Sequence, residues 1–190
     1  MLKKNKYTLI FTLLSIAFIV LMATSSTLFS WAFARHHNVL SWYIRPLFML
    51  PFCFFAYRRN GAGIAATVFL LLTSMFWFPK PESTSETVAA FLTMEQQYLT
   101  SNWTLVKIAV SMMVPITMSA LAYAFWQRSL KTGLFIVVLI AFLKIIWSII
   151  EGGSSGLSIL VPALLGLAVC IVAIIFFIRY QQHKKDKTFY

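Results

Sequence analysis

The sequence predicts an all-α integral membrane protein, a bundle of six transmembrane helices with both termini on the cytoplasmic side. Three observations lead there. Of 190 residues, 60% are hydrophobic and 11% are charged, whereas a soluble domain carries about 25% charged residues. Long apolar runs alternate with short polar clusters, and each run is near the roughly 20 residues a helix needs to cross about 30 Å of hydrocarbon. The basic residues gather in alternate connections, as expected of loops that stay inside.

The runs place spans at 7–33, 40–57, 61–78, 103–126, 132–150 and 157–178, all in one polytopic domain, followed by a basic tail at 179–190. With the N-terminus inside, the inner flanks hold Lys3, Lys4, Lys6, Arg58, Arg59, Arg128, Lys131, Arg179, Lys184, Lys185 and Lys187. The outer connections then hold Arg35 and Lys80 with Glu82, Glu86, Glu95 and Glu151. An odd number of spans would put a basic cluster outside. The first run, with Ala32-Phe33-Ala34 at its end, has the small-x-small form of a signal cleavage site, but it is longer than the 7 to 15 residues of a signal core. It is read as a retained first helix. Short loops and Lys-rich inner flanks fit a bacterial cytoplasmic (inner) membrane.

The one long connection, between spans three and four, is expected to carry a short interfacial helix at about 84–99. Ser83-Thr84-Ser85-Glu86 fits a capping box, and Val88, Phe91, Leu92 and Leu99 recur at helical spacing on one face. Phe76, Trp77, Phe78 and Trp103 read as an outer aromatic belt, with Trp126 and Tyr180 at the inner boundary. Small residues at Gly61, Gly63 and Gly166 suggest close helix contacts. Pro46, Pro51, Pro115 and Pro162 each remove a backbone hydrogen bond and kink a span.

Charged side chains inside spans point to chemistry, because each is costly unless it faces protein or water. Arg45, Lys107 and Lys144 all lie within about 10 Å of the outer boundary at a helical rise of 1.5 Å per residue. Glu95 falls on the apolar face of the interfacial helix and Glu151 lies seven residues beyond Lys144, so these five residues form the candidate substrate-binding set. Tyr43, Trp103, Trp147 and Ser148 are its expected support, with Trp42, Thr104 and Ser111 as further donors. Three bases against two carboxylates favour an anion, and the planar fork of Arg45 suits a carboxylate or phosphate. The competing reading of the same residues is helix-to-helix ion pairs and lysines reaching the interface along their apolar stems.

The composition excludes more than it identifies. The net charge of +11 is distributed as short topogenic clusters, so nucleic acid is not an expected partner. His36 and His37 read as a solvated loop pair, Cys53 and Cys170 as small buried hydrophobes, and neither pair suggests a metal; no cofactor is expected. No nucleotide loop, zinc motif or serine-nucleophile elbow is present. The expected function is binding or transport of a small anionic solute or lipid headgroup at an outer-leaflet polar site. The alternatives are an accessory or assembly subunit of a membrane complex, and an intramembrane lipid-modifying enzyme with Glu95 as base. Partners are the lipid bilayer, the anion or headgroup, and a second copy or another membrane subunit.

Overall fold

The computed structural model describes residues 2–186; the end of the basic tail, 187–190, and the side chains of residues 2–5, 178 and 181–186, Lys3, Lys4, Lys184 and Lys185 among them, lie outside the described residues. All the regular structure of the described residues is helical, with no strand. Its helices are α1 (Leu2–Thr24), α2 (Ser26–His36), α3 (Leu40–Leu47), α4 (Met49–Tyr57), α5 (Gly61–Thr73), α6 (Glu86–Thr100), α7 (Leu105–Trp126), α8 (Leu130–Gly152) and α9 (Leu160–Asp186). Short 3-10 segments, Ser74–Phe76 and Gly153–Ile159, follow α5 and α8.

Local chemistry sets the breaks. The first apolar run is divided at Ser25, whose backbone is extended and whose hydroxyl accepts from the Leu28 N–H at 3.3 Å. Serine and threonine hydroxyls compete with the helix for backbone groups, and Thr24 next to it also returns its hydroxyl to Val20 O. The second run is divided at Phe48. There Pro51 cannot donate to the Leu47 carbonyl and its ring crowds that group. Between α2 and α3 the chain turns at Asn38, whose Oδ1 accepts from the Leu40 N–H at 3.1 Å, and the axis changes direction by 94°.

By length and composition, three helical stretches among the described residues are able to cross a membrane: Lys6–Thr24, Leu105–Trp126 and Leu130–Phe177. The bent pair of α2 with α3–α4 makes a fourth if it is counted as one broken span. The stretch Leu130–Phe177 spans 48 residues and passes through Gly153, whose φ of 54° is open to glycine. Beyond that turn α9 packs back on α8. Many large apolar side chains are exposed, among them Leu13, Ile16 and Val20 of α1 and Val114 and Ile116 of α7. Hydrocarbon is the solvent that suits them.

Helix α1 lies on α5, α4 packs between α5 and α7, and α9 contacts α3, α4 and α8. One interior cluster centres on Phe52, Ala56, Leu121, Phe125, Val137 and Ile174. A second, Trp42, Val88, Phe91 and Leu92, lies beneath α6. Gly166 lets α9 approach Pro46 so closely that a Cβ there would overlap the proline ring. Cys53 and Cys170 are buried and free, and the Cys170 thiol donates to Pro46 O at 3.6 Å.

Helices α4 and α7 end alike, on a left-handed arginine. Arg59 has φ 50° and Arg128 has φ 60°. At each end the next N–H reaches back five residues, Asn60 to Phe55 O and Ser129 to Ala124 O, both at 2.9 Å. This is the Schellman arrangement, in which glycine is usual. The two ends also hold each other: Arg59 Nε donates to Trp126 O at 3.1 Å, and the Arg128 guanidinium lies 5.5 Å from the Tyr57 ring. A left-handed conformation costs a non-glycine residue about 1 kcal/mol. Arg128→Gly is therefore expected to raise thermal stability in detergent by up to about that amount, and an unchanged or lowered midpoint would contradict it.

The helix expected at 84–99 runs over Glu86–Thr100, and its start differs from the expected capping box. Ser85, not Ser83, is the N-cap, and it makes no side-chain hydrogen bond to the backbone. Its hydroxyl instead meets Thr87 Oγ1 at 3.4 Å. Val88, Phe91 and Leu92 are buried as the periodicity required, whereas Leu99 is 40% exposed.

Candidate functional site

Three elements converge under α6. Helix α2 brings His36 at its last position, α3 brings Ser41, Trp42 and Arg45, α6 brings Phe91 and Glu95, and α8 brings Lys144, Trp147 and Ser148. Glu95 is one turn past Phe91 and Leu92, so it shares their buried face. Its Oε1 accepts from Lys144 Nζ at 3.2 Å. Its Oε2 lies 3.8 Å from His36 Nε2.

His36 is the residue that organises the cluster, and it is 4% exposed. Ser41 and Arg45, four apart on α3, address its two ring nitrogens. Ser41 Oγ lies 3.0 Å from Nδ1 and Arg45 Nη1 lies 3.2 Å from Nε2. The hydroxyl of Ser41 donates to Asn38 O at 2.8 Å, which leaves its oxygen free to accept from Nδ1–H. Arginine has only donors, so Nε2 must present a lone pair to Arg45. The network thus assigns a neutral His36 carrying its proton on Nδ1. The Trp42 indole N–H donates to His36 O at 3.1 Å and closes the end of α2.

With His36 neutral, the cluster holds two cations, Arg45 and Lys144, and one carboxylate. Burial alone would raise the Glu95 pKa, but the charges of Lys144 and Arg45 and the Lys144 hydrogen bond hold it below the ordinary value of 4.5. Glu95 is ionised at neutral pH, and one positive charge is left over. Arg45 gives one of its five N–H donors to His36; among the described residues the others have no acceptor. Lys144 is flanked by aromatic faces, its Nζ 4.3 Å from the Trp147 ring and 5.7 Å from Phe91. The Trp147 ring in turn meets Tyr98 edge-on at 5.2 Å.

Ser148 follows Lys144 by one turn and is fully buried, yet its Oγ has no hydrogen-bond partner among the described residues. It lies between Lys144, which meets Glu95, and Gly152, whose Cβ position would touch Phe91 and Met94. This strip of α8 therefore faces α6. An unsatisfied buried hydroxyl is uncommon, and this one lies one helical turn along α8 from Lys144.

Of the five residues expected to share one site, the fold brings together Arg45, Glu95 and Lys144. Lys107 is elsewhere. It is 7% exposed, donates to Ser101 O at 2.9 Å and Ser101 Oγ at 3.1 Å, and lies against the Trp103 and Tyr98 rings at 4.5 and 4.9 Å. Its charge closes the C-terminal end of α6, where a cation is favoured by the helix dipole. Trp103 therefore serves that clasp and not the cluster. Glu151 is exposed and makes no ion pair among the described residues. Tyr43 is exposed and stands outside the cluster, whereas Trp147 packs on Lys144 within it and Ser148 is buried one turn further along α8.

His36 overturns the expectation of a solvated loop pair. The signal was its spacing from Ala32 and Phe33, all three on one buried face of α2, which adjacency to His37 obscured. His37 itself is half-buried; burial and the neighbouring Lys80 charge lower its pKa below 6.5, so it is neutral at pH 7. Among the described residues no three His, Cys, Asp or Glu side chains come together as a metal site would need. No family model matches this chain, and no curated protein or solved structure does.

Proposed function

We propose that this protein crosses the membrane six times with both ends inside, and that it binds or carries a small anionic solute or lipid headgroup at the outer-leaflet cluster under α6. The crossings would be α1–α2, α3–α4, α5 with its 3-10 end, α7, α8 and α9. The positive-inside bias supports this arrangement, and a bacterial cytoplasmic membrane suits it. The observation that carries the functional reading is the cluster itself: Lys144 pairs with the one carboxylate, Glu95, and Arg45, held on a neutral His36, lies near enough for its charge to act on that carboxylate. Glu95 then acts as an internal counterion on a covering helix. An incoming carboxylate or phosphate takes its place between the two cations, using the open fork of Arg45 and the free hydroxyl of Ser148.

The test is thermal stabilisation of the purified protein by inorganic phosphate, acetate and glycerol phosphate. A ligand at a hundred times its Kd stabilises by about 2.7 kcal/mol. Arg45→Lys keeps the charge but loses the planar fork, and is expected to weaken binding about tenfold. No stabilisation by any of the three anions, or equal stabilisation of wild type and Arg45→Lys, would overturn the proposal. The closed Lys144–Glu95 pair supports a second reading, an assembly subunit in which these charges only fasten α6 to the bundle. Such a subunit would show no anion effect.

A further inference from the structure

At the other end of the bundle, an apolar cleft with a cavity volume of about 180 Å³ opens between α4, α7 and α9. Cys53, Phe54 and Tyr57 of α4, Phe125 of α7, and Ile174 and Phe177 of α9 form its walls. No charged side chain lines it, but two stand over it. The Arg58 guanidinium lies 6.0 Å from the Phe54 ring and that of Arg128 lies 5.5 Å from Tyr57. Phe54 and Tyr57 are three apart on α4 and so are neighbours on one face. Both arginines are exposed and neither has a carboxylate partner among the described residues. The third arginine of this end, Arg59, is held on Trp126 O.

We propose that this cleft binds one anionic phospholipid, with an acyl chain lying in the cleft and the phosphodiester held by Arg58 and Arg128. An acyl chain matches walls that offer only carbon, sulfur and one phenol. A phosphodiester matches two unpaired guanidinium groups, which bind phosphate through directed N–H donors. A free phosphate would leave the cleft unused, and a zwitterionic headgroup would bring its own cation to the arginines. Basic residues beside membrane helices select anionic lipid for the same reason. The site is independent of the cluster under α6 and stands or falls without it.

Native mass spectrometry of the full-length protein titrated with phosphatidylglycerol, and separately with phosphatidylcholine of the same chains, tests this. Wild type is expected to retain one phosphatidylglycerol at least tenfold more tightly than phosphatidylcholine. Arg58→Gln with Arg128→Asn should remove that preference; asparagine tolerates the left-handed backbone at 128. Ala173→Trp, which fills the cleft from α9, should weaken phosphatidylglycerol binding while the arginines remain. If the filled variant misfolds, the Arg58→Gln single change, on an exposed side chain, should still reduce the preference. Equal retention of the two lipids by wild type, or an arginine variant that keeps the preference, would overturn the proposal.

Discussion

Glu95→Ala is expected to lower stability by about 3 kcal/mol and to detach α6 from the bundle. The change removes the carboxylate that pairs with Lys144 and whose charge offsets that of Arg45, and leaves both cations without a counter-charge among the described residues. Breaking a buried pair from one side costs about 3 to 5 kcal/mol, and the lower end applies because the Lys144 side chain keeps 40% of its exposure. Thermal unfolding in detergent measures the loss. The same residue sets a pH dependence. Its folded pKa lies below the ordinary value of 4.5, so its stabilising contribution is complete above the unfolded value and is lost as pH falls through the folded one. The wild-type midpoint should therefore hold from pH 7 to about 5 and decline below about 4.5. Glu95→Gln should be less stable at pH 7 and show a shallower acid decline. A Glu95→Ala protein as stable as wild type, with the same acid profile, would show that the cluster does not fasten α6.

Gly156→Ala is the second change expected to have a large effect. A Cβ at 156 would overlap the backbone carbonyl of Ser148 and come within 3.0 Å of the Ile149 nitrogen. No flexible side chain is there to yield, so the 3-10 segment has to lift from α8. Overpacking of this kind costs about 1 to 3 kcal/mol, and contact with rigid backbone puts it at the upper end. Because that segment also lies against α6, the displacement reaches the cluster through Ser148 and Lys144. Gly153→Ala is the control: its Cβ would meet nothing within 4 Å, but its φ is 54° and ψ is −129°, a region left to glycine. That substitution should cost about 1 to 3 kcal/mol through the backbone alone and leave anion binding intact. If Gly156→Ala unfolds at the wild-type temperature, the close approach of the hairpin is not what holds α8 and α9.

Much of the cluster was legible before any contact was known. Glu95 could be placed on the buried face of α6 because Val88, Phe91 and Leu92 recur at helical spacing, and a carboxylate on that face needs a cation. Lys144 and Arg45 stood out because a charge in an apolar run has few places to go. Lys107 carried the same signal and belongs elsewhere. Depth along a helix is readable from sequence, but azimuth toward a particular neighbour is not. Lys107 turns toward the free carbonyl at the end of α6, and Lys144 turns under it.

Composition and periodicity determined, without further help, that the chain is helical, that its long apolar stretches suit a bilayer, and that a covering helix lies between α5 and α7. These are local properties, fixed by the backbone's need for internal hydrogen bonds and by the partition of side chains between water and hydrocarbon. The tertiary structure alone decided that His36 lies inside with its proton on Nδ1, and that Arg45, Glu95 and Lys144 meet while Lys107 and Glu151 stand apart. Those outcomes depend on which helix faces meet across residues distant in sequence, such as Glu95 and Lys144, and side-chain pairing of that range leaves no periodic trace in the chain.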